Sequence, residues 1–204
     1  MHRRDVLRHL SYLSGVAVTA PSLLIALQSC GRDEPDLDWS PQYFTDSEAR
    51  FVTSYVDTLL PRTPDSYRGP GGLDVGVPAF IDRVMAATAG EGDKPSPLQT
   101  GILEFDEGAR TQYGMPFHQL DATQRGELFT AAEGVAPRYN PQVWGTAVGE
   151  QPPVGFYRSL KSMALWGYLS SEKIGTEVLH YDPVPGGYDG CVDLASLGGR
   201  AWSL

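Results

Sequence analysis

Thiols, imidazoles and neighbouring carboxylates are the groups through which this chain could do chemistry, and they are few. Its 204 residues hold two cysteines, Cys30 and Cys191, and four histidines, His2, His9, His118 and His180. No Cys-x-x-Cys-His occurs, so covalent haem attachment is unsupported, and two thiols cannot ligate an iron–sulfur cluster. His-Glu-x-x-His is missing, and a zinc site would have to complete its shell with carboxylates. Neither Gly-x-Gly-x-x-Gly nor a P-loop pattern is present, and no Gly-x-Ser-x-Gly elbow exists for a serine nucleophile. Acidic neighbours do occur: Glu104 with Asp106 and Glu107, and Asp46 with Glu48. An acid pair of the glycosidase type is one reading of these. The other is that carboxylates collect near helix starts because the helix dipole favours them there. His118 and His180 read as partly exposed helix-end or loop residues. What remains is covalent chemistry at sulfur: acylation of Cys30 and a disulfide at Cys191.

Cys30 has a context. Arg3 and Arg4 head the chain in Met1-His2-Arg3-Arg4-Asp5, a moderately apolar run follows, and Leu27-Gln28-Ser29-Cys30 closes it. A basic head, an apolar middle and a cysteine stop are expected of a twin-arginine export signal ending in a lipoprotein cleavage site. A general secretory signal that happens to hold two arginines is an alternative, and so is an uncleaved anchor, although Pro21 and several polar residues make this a poor spanning helix. Residues 1–29 are then the signal, Cys30 the site of lipid attachment, and residues 30–43 an acidic tether. The expected location is the periplasmic side of the cell envelope. With Cys30 acylated, Cys191 has no partner thiol within the chain. An inter-subunit disulfide and a buried thiol are its two readings.

Composition bounds the rest. A net charge of −9 argues against binding nucleic acid or anionic headgroups. The 23 Gly and 16 Pro predict long irregular stretches.

The elements that would position these groups are helices. Thr45-Asp46-Ser47-Glu48 has the form of a capping box, and Phe51, Val52, Tyr55, Val56, Leu59 and Leu60 repeat at helical spacing until Pro61 stops the run. Val77-Pro78 opens a second helix with proline in its first turn, and Gly90 caps it. Ser96-Pro97 starts a third, striped by Leu98, Ile102, Phe105, Ala109 and Tyr113 and ended by Gly114. Asp121 with Gln124 caps a fourth carrying Leu128, Phe129 and Ala132. A fifth runs from about 154 to 169, with Phe156, Leu160, Met163, Ala164 and Gly167 on one side, and residues 171–179 make a short sixth. Tyr55, Phe80, Phe105, Phe129, Phe156 and Trp166 read as core aromatics. No strand alternation and no repeat is present. The class is all-α: one helical domain, residues 44–204, of about five to six helices with a long irregular C-terminal tail, residues 180–204.

That tail contains Tyr181, Pro183, Pro185, Gly186, Gly187, Tyr188 and Cys191. Prolines lack the donor, and glycines the stiffness, that secondary structure needs. Such a segment orders by lying on its own domain or on another chain. Trp202 suggests that the end is docked.

Three stretches carry a resemblance. They are Asp57-Thr58-Leu59-Leu60-Pro61-Arg62-Thr63-Pro64 with Gly72-Leu73-Asp74-Val75-Gly76-Val77-Pro78, then Tyr113-Gly114-Met115-Pro116-Phe117, then Leu165-Trp166-Gly167-Tyr168-Leu169 leading into residues 181–191 and Ala201-Trp202. Over roughly residues 44–202 the chain resembles the gluconate 2-dehydrogenase subunit 3 family, the small subunits of membrane-bound flavin-dependent sugar and polyol dehydrogenases. The resemblance implies a non-catalytic chain with no cofactor of its own. A GMC-type large subunit would hold FAD and oxidise the substrate, and a cytochrome c subunit would often take the electrons. The small subunit would carry the export signal and support maturation of the large one. The lipoprotein-like Cys30 departs from what many members need. A stand-alone envelope lipoprotein that binds a small ligand or acts as a scaffold is the rival reading.

Overall fold

Three helix starts are written locally, and the rest of the architecture hangs from them. In the computed structural model, which describes residues 37–63, 69–88, 95–137, 155–181, 186 and 191–202, helix α1 is Asp46–Leu59, α2 is Val77–Thr88 and α3 is Pro97–Tyr113. Helix α4 is Ala122–Val135 and α5 is Gly155–Leu169. Thr45, Ser96 and Asp121 each accept from the backbone N–H three residues on, while Glu48, Gln99 and Gln124 reach back to the capping residue's own N–H. Each box satisfies donors that a helix start otherwise leaves orphaned, and losing one costs about 1 kcal/mol. Gly114 ends α3 in the left-handed region at φ 75°, where a side chain would strain the backbone. Among the described residues there is no β-strand, only an isolated bridge between His180 and Trp202.

α1 is the central element, packing against α2, α3 and α4 and the 3-10 turn Phe117–Gln119. It buries Phe51, Val52, Tyr55 and Val56. The core around it is aromatic: Phe51 lies 5.0 Å from Phe117, Tyr55 lies 4.7 Å from Phe129, and Phe117 stacks on Phe129 at 5.8 Å. The Tyr55 hydroxyl is satisfied in this apolar setting by donating to the Tyr157 carbonyl at 2.9 Å.

α5 lies on α2 and α3, and a glycine makes room at each crossing. A Cβ on Gly101 of α3 would stand 2.4 Å from Phe156, and one on Gly167 of α5 would stand 2.5 Å from Phe80. Helix axes approach this closely only where one partner lacks a side chain. Beyond α5 the chain widens into one π-helical turn, Ile174–Val178, whose Ile174 is buried. The Tyr168 hydroxyl donates to the Pro70 carbonyl at 2.7 Å and fixes this end of α5 on the loop that precedes α2.

The N-terminal stretch is more ordered than its polarity suggests. Leu37, Trp39 and Tyr43, which the sequence reading placed in a tether, are partly buried against the core. Asp82 of α2 is 1% exposed and accepts from the backbone N–H groups of Gln42 at 2.8 Å and of Tyr43 and Phe44 at 3.0 Å. A buried carboxylate is stable only when its lone pairs are used, and here three donors use them.

Candidate interaction surface

α5 presents two faces of different character. Tyr157, Leu160, Ala164 and Gly167 face inward. Trp166 does not: it is 57% exposed, and Leu165 beside it is exposed too. Trp166 was expected in the core, and its position on the helix explains why it is not. The buried stripe runs through Leu160 and Ala164 to Gly167, and Trp166 falls about 100° of helical rotation short of that glycine. Its ring meets Phe80 edge-on at 5.0 Å.

The segment after α5 continues this exposed apolar surface in composition. Tyr181, Val192, Leu194 and Trp202 are all exposed large apolar side chains. Six of the nine exposed large hydrophobics among the described residues therefore fall between Leu165 and Trp202. Residues 191–202 carry one 3-10 turn, Leu194–Leu197, which buries nothing and is started by Asp193 accepting from Ala195. Trp202, which the cost of exposing it predicts to be docked, is 46% exposed, and the end touches the body at few points. His180 donates its N–H to the Ala201 carbonyl at 2.6 Å, and its ring meets Trp202 edge-on at 4.5 Å. Arg200 reaches the Glu177 carbonyl at 3.4 Å. A stretch this polar in its backbone and this apolar in its side chains gains little from the body beneath it.

Of the residues singled out in the sequence, Tyr181, Gly186 and Cys191 are all exposed. Pro183, Pro185, Gly187 and Tyr188 lie outside the described residues, as do Arg3, Arg4, Cys30 and Gly90. His118 corrects an expectation: it is 9% exposed rather than open, because the 3-10 turn carries it beneath Arg125, which donates to its carbonyl at 2.8 Å. His180 is half-buried. The acidic groups have structural work. Asp106 accepts from the Phe117 N–H at 2.7 Å and pairs with Arg110 at 3.1 Å, and Glu48 belongs to the cap of α1.

One polar cluster escaped the sequence reading. In a cleft of about 800 Å³ between α4 and α5, Glu133 binds Lys161 at 2.8 Å and Arg158 at 3.1 Å. The hydrogen bond from Lys161, aided by the charge of both cations, holds the Glu133 carboxyl below its ordinary range. Burial and the Glu133 charge push the Tyr157 phenol up to about 12, and burial also pushes Tyr55 up. Phe129 is the only buried side chain of α4 and meets Tyr157 of α5 edge-on at 5.5 Å, and this cluster adds a polar tie between the same two helices. Its signal was present in the i, i+3 spacing of Arg158 and Lys161, but nothing local marks Glu133 as their partner. No three His, Cys, Asp or Glu among the described residues are grouped to hold a metal, and no described helix is long and apolar enough to cross a membrane.

Comparison with known proteins gives one match. A family model described as gluconate 2-dehydrogenase subunit 3 matches residues 46–186. No curated protein and no solved structure matches the chain.

Proposed function

The chain belongs to the gluconate 2-dehydrogenase subunit 3 family, and from that premise we propose that it is the non-catalytic small subunit of a periplasmic flavin-dependent dehydrogenase of the GMC type. The family description places it in a multi-subunit dehydrogenase complex. On this reading the large subunit carries FAD and the substrate site, and a cytochrome c subunit accepts the electrons. The small subunit accompanies the large one through export by the twin-arginine route, with Arg3 and Arg4 as the signal for both. Acylated Cys30 then attaches the pair to the membrane.

The observation that supports this best is the set of exposed large apolar side chains Leu165, Trp166, Tyr181, Val192, Leu194 and Trp202. Aromatic side chains left in water at the end of a helical body are what the centre of a protein interface is made of. The proposed contact set is Trp166 with Tyr181, Pro183, Pro185, Gly186, Gly187, Tyr188 and Cys191.

Purification of the native chain under gentle detergent conditions tests the reading. A flavoprotein is expected to co-elute, with the absorbance of bound FAD. Deleting the gene for this chain should strand that flavoprotein in the cytoplasm. A chain that elutes alone, with the flavoprotein exported in its absence, would contradict the assignment.

A further inference from the structure

The clamp formed by Asp82 decides where the folded body begins. Its oxygens take the N–H groups of Gln42, Tyr43 and Phe44. Tyr43 is held a second time, its hydroxyl donating to Gln99 of α3 at 3.0 Å. With Leu37 and Trp39 also packed on the core, the body starts at Leu37 and not at α1. Only residues 31–36 separate it from Cys30.

Covalent geometry limits what those residues can span. A trans-linked chain covers at most 3.3–3.6 Å per residue, so Cys30 and Leu37 can stand no more than about 25 Å apart. Were residues 37–44 released, the free stretch would reach from Cys30 to Thr45, about 50 Å at full extension.

Resting on the reading of Cys30 as the acylated residue, we propose that this chain holds its helical body against the bilayer on a leash of six residues, and that Asp82 is the positioning residue that keeps the leash short. Charge gives the leash its importance. A body of net charge −9 is repelled by anionic headgroups, so nothing in its surface charge would keep it near the lipid. The partner subunit would accordingly meet the body close to the membrane surface and dock on faces turned away from the lipid.

Energy transfer in vesicles tests this. The full acylated chain carries Cys191→Ser and a donor dye on Arg83→Cys, an exposed position next to the clamp. It is reconstituted into vesicles of equal parts phosphatidylcholine and phosphatidylglycerol with an acceptor dye on the headgroups. Strong transfer is expected from this chain. Inserting a flexible Gly/Ser segment of about ten residues between Glu34 and Pro35 should remove most of that transfer. Asp82→Asn, without the insertion, should remove part of it and open residues 37–44 to protease. Should Asp82→Asn fail to fold, the insertion leaves the body intact and still decides the matter. Equal transfer with and without the insertion in a chain shown by mass spectrometry to be acylated overturns the leash alone. Absence of acyl chains on Cys30 overturns the underlying reading and the leash with it.

Discussion

Phe80 and Trp166 meet edge to face across the crossing of α2 and α5, ring centroids 5.0 Å apart and planes at 81°. One member of this pair rests over the glycine of the opposite helix, and the other is left half in water. The pair thus joins the packing of the body to its exposed apolar surface. The two sides respond differently to mutation.

Trp166→Ala should separate folding from assembly. More than half of the side chain is already exposed, and the pair with Phe80 is worth about 1 kcal/mol. The urea midpoint should therefore fall only slightly. Capture of the proposed flavoprotein partner should weaken roughly thirty-fold, which corresponds to about 2 kcal/mol at an aromatic anchor. Unchanged capture would remove Trp166 from the interface.

Gly167→Ala tests the other side. Its new Cβ would stand 2.5 Å from Phe80 Cδ1 and 3.0 Å from Cε1. Overpacking of this kind costs about 1–3 kcal/mol, against which alanine returns up to ~1 kcal/mol of helix propensity. A net loss of stability is expected, and Phe80→Leu in the same chain should recover part of it. If Gly167→Ala alone stabilises the chain, the helices tolerate more separation than this crossing implies.

Glu133 gives a signed dependence on pH. Its carboxyl is held below the ordinary value of 4.5 by Lys161 and Arg158. Because the folded state lowers it, its contribution is complete above pH 4.5 and is lost as pH falls through the lowered value. The stability difference between the parent and Glu133→Gln should therefore shrink on acidification below that point. The Glu133 side chain is 41% accessible, so the effect will be modest and weaker in salt. A difference that stays constant through the acid range would show that the ion pairs do not contribute.

Cys191 lies in an oxidising compartment on the proposed reading, and it is exposed. Non-reducing electrophoresis of the purified complex should show a band at the summed mass of two subunits that disappears with reductant and with Cys191→Ser. Separate bands without reductant would exclude a disulfide to the partner.

Much of the fold was readable because its instructions are local. Thr45 with Glu48, Ser96 with Gln99, and Asp121 with Gln124 mark helix starts within four residues. The stripe of α1 is regular enough to identify its buried face. The features that escaped depend on partners far along the chain. Residues 37–43 look like a tether because they are polar and hold a proline, yet a carboxylate some forty residues away takes the N–H groups at their end, Gln42, Tyr43 and the adjoining Phe44. Glu133 finds its cations across a helix pair. Aromatic character alone predicts Trp166 in the core, but its angle on the helix, about 100° from Gly167, turns it outward. The exposure of Trp166 in α5 has no local mark, because an exposed tryptophan looks in sequence like any core residue.

The three capping boxes also bear on the order in which this molecule forms. A helix whose first turn is fixed by residues within its own start needs little help from the rest of the chain to nucleate. Domains built from such local pairings fold on a timescale of microseconds to milliseconds. Among the described residues beyond Val178, the His180–Trp202 bridge and a few further hydrogen bonds are the contacts that hold the chain, so few interactions reward its ordering. A segment so lightly held to the helical body would re-form its few contacts at little cost if a second protein offered better ones.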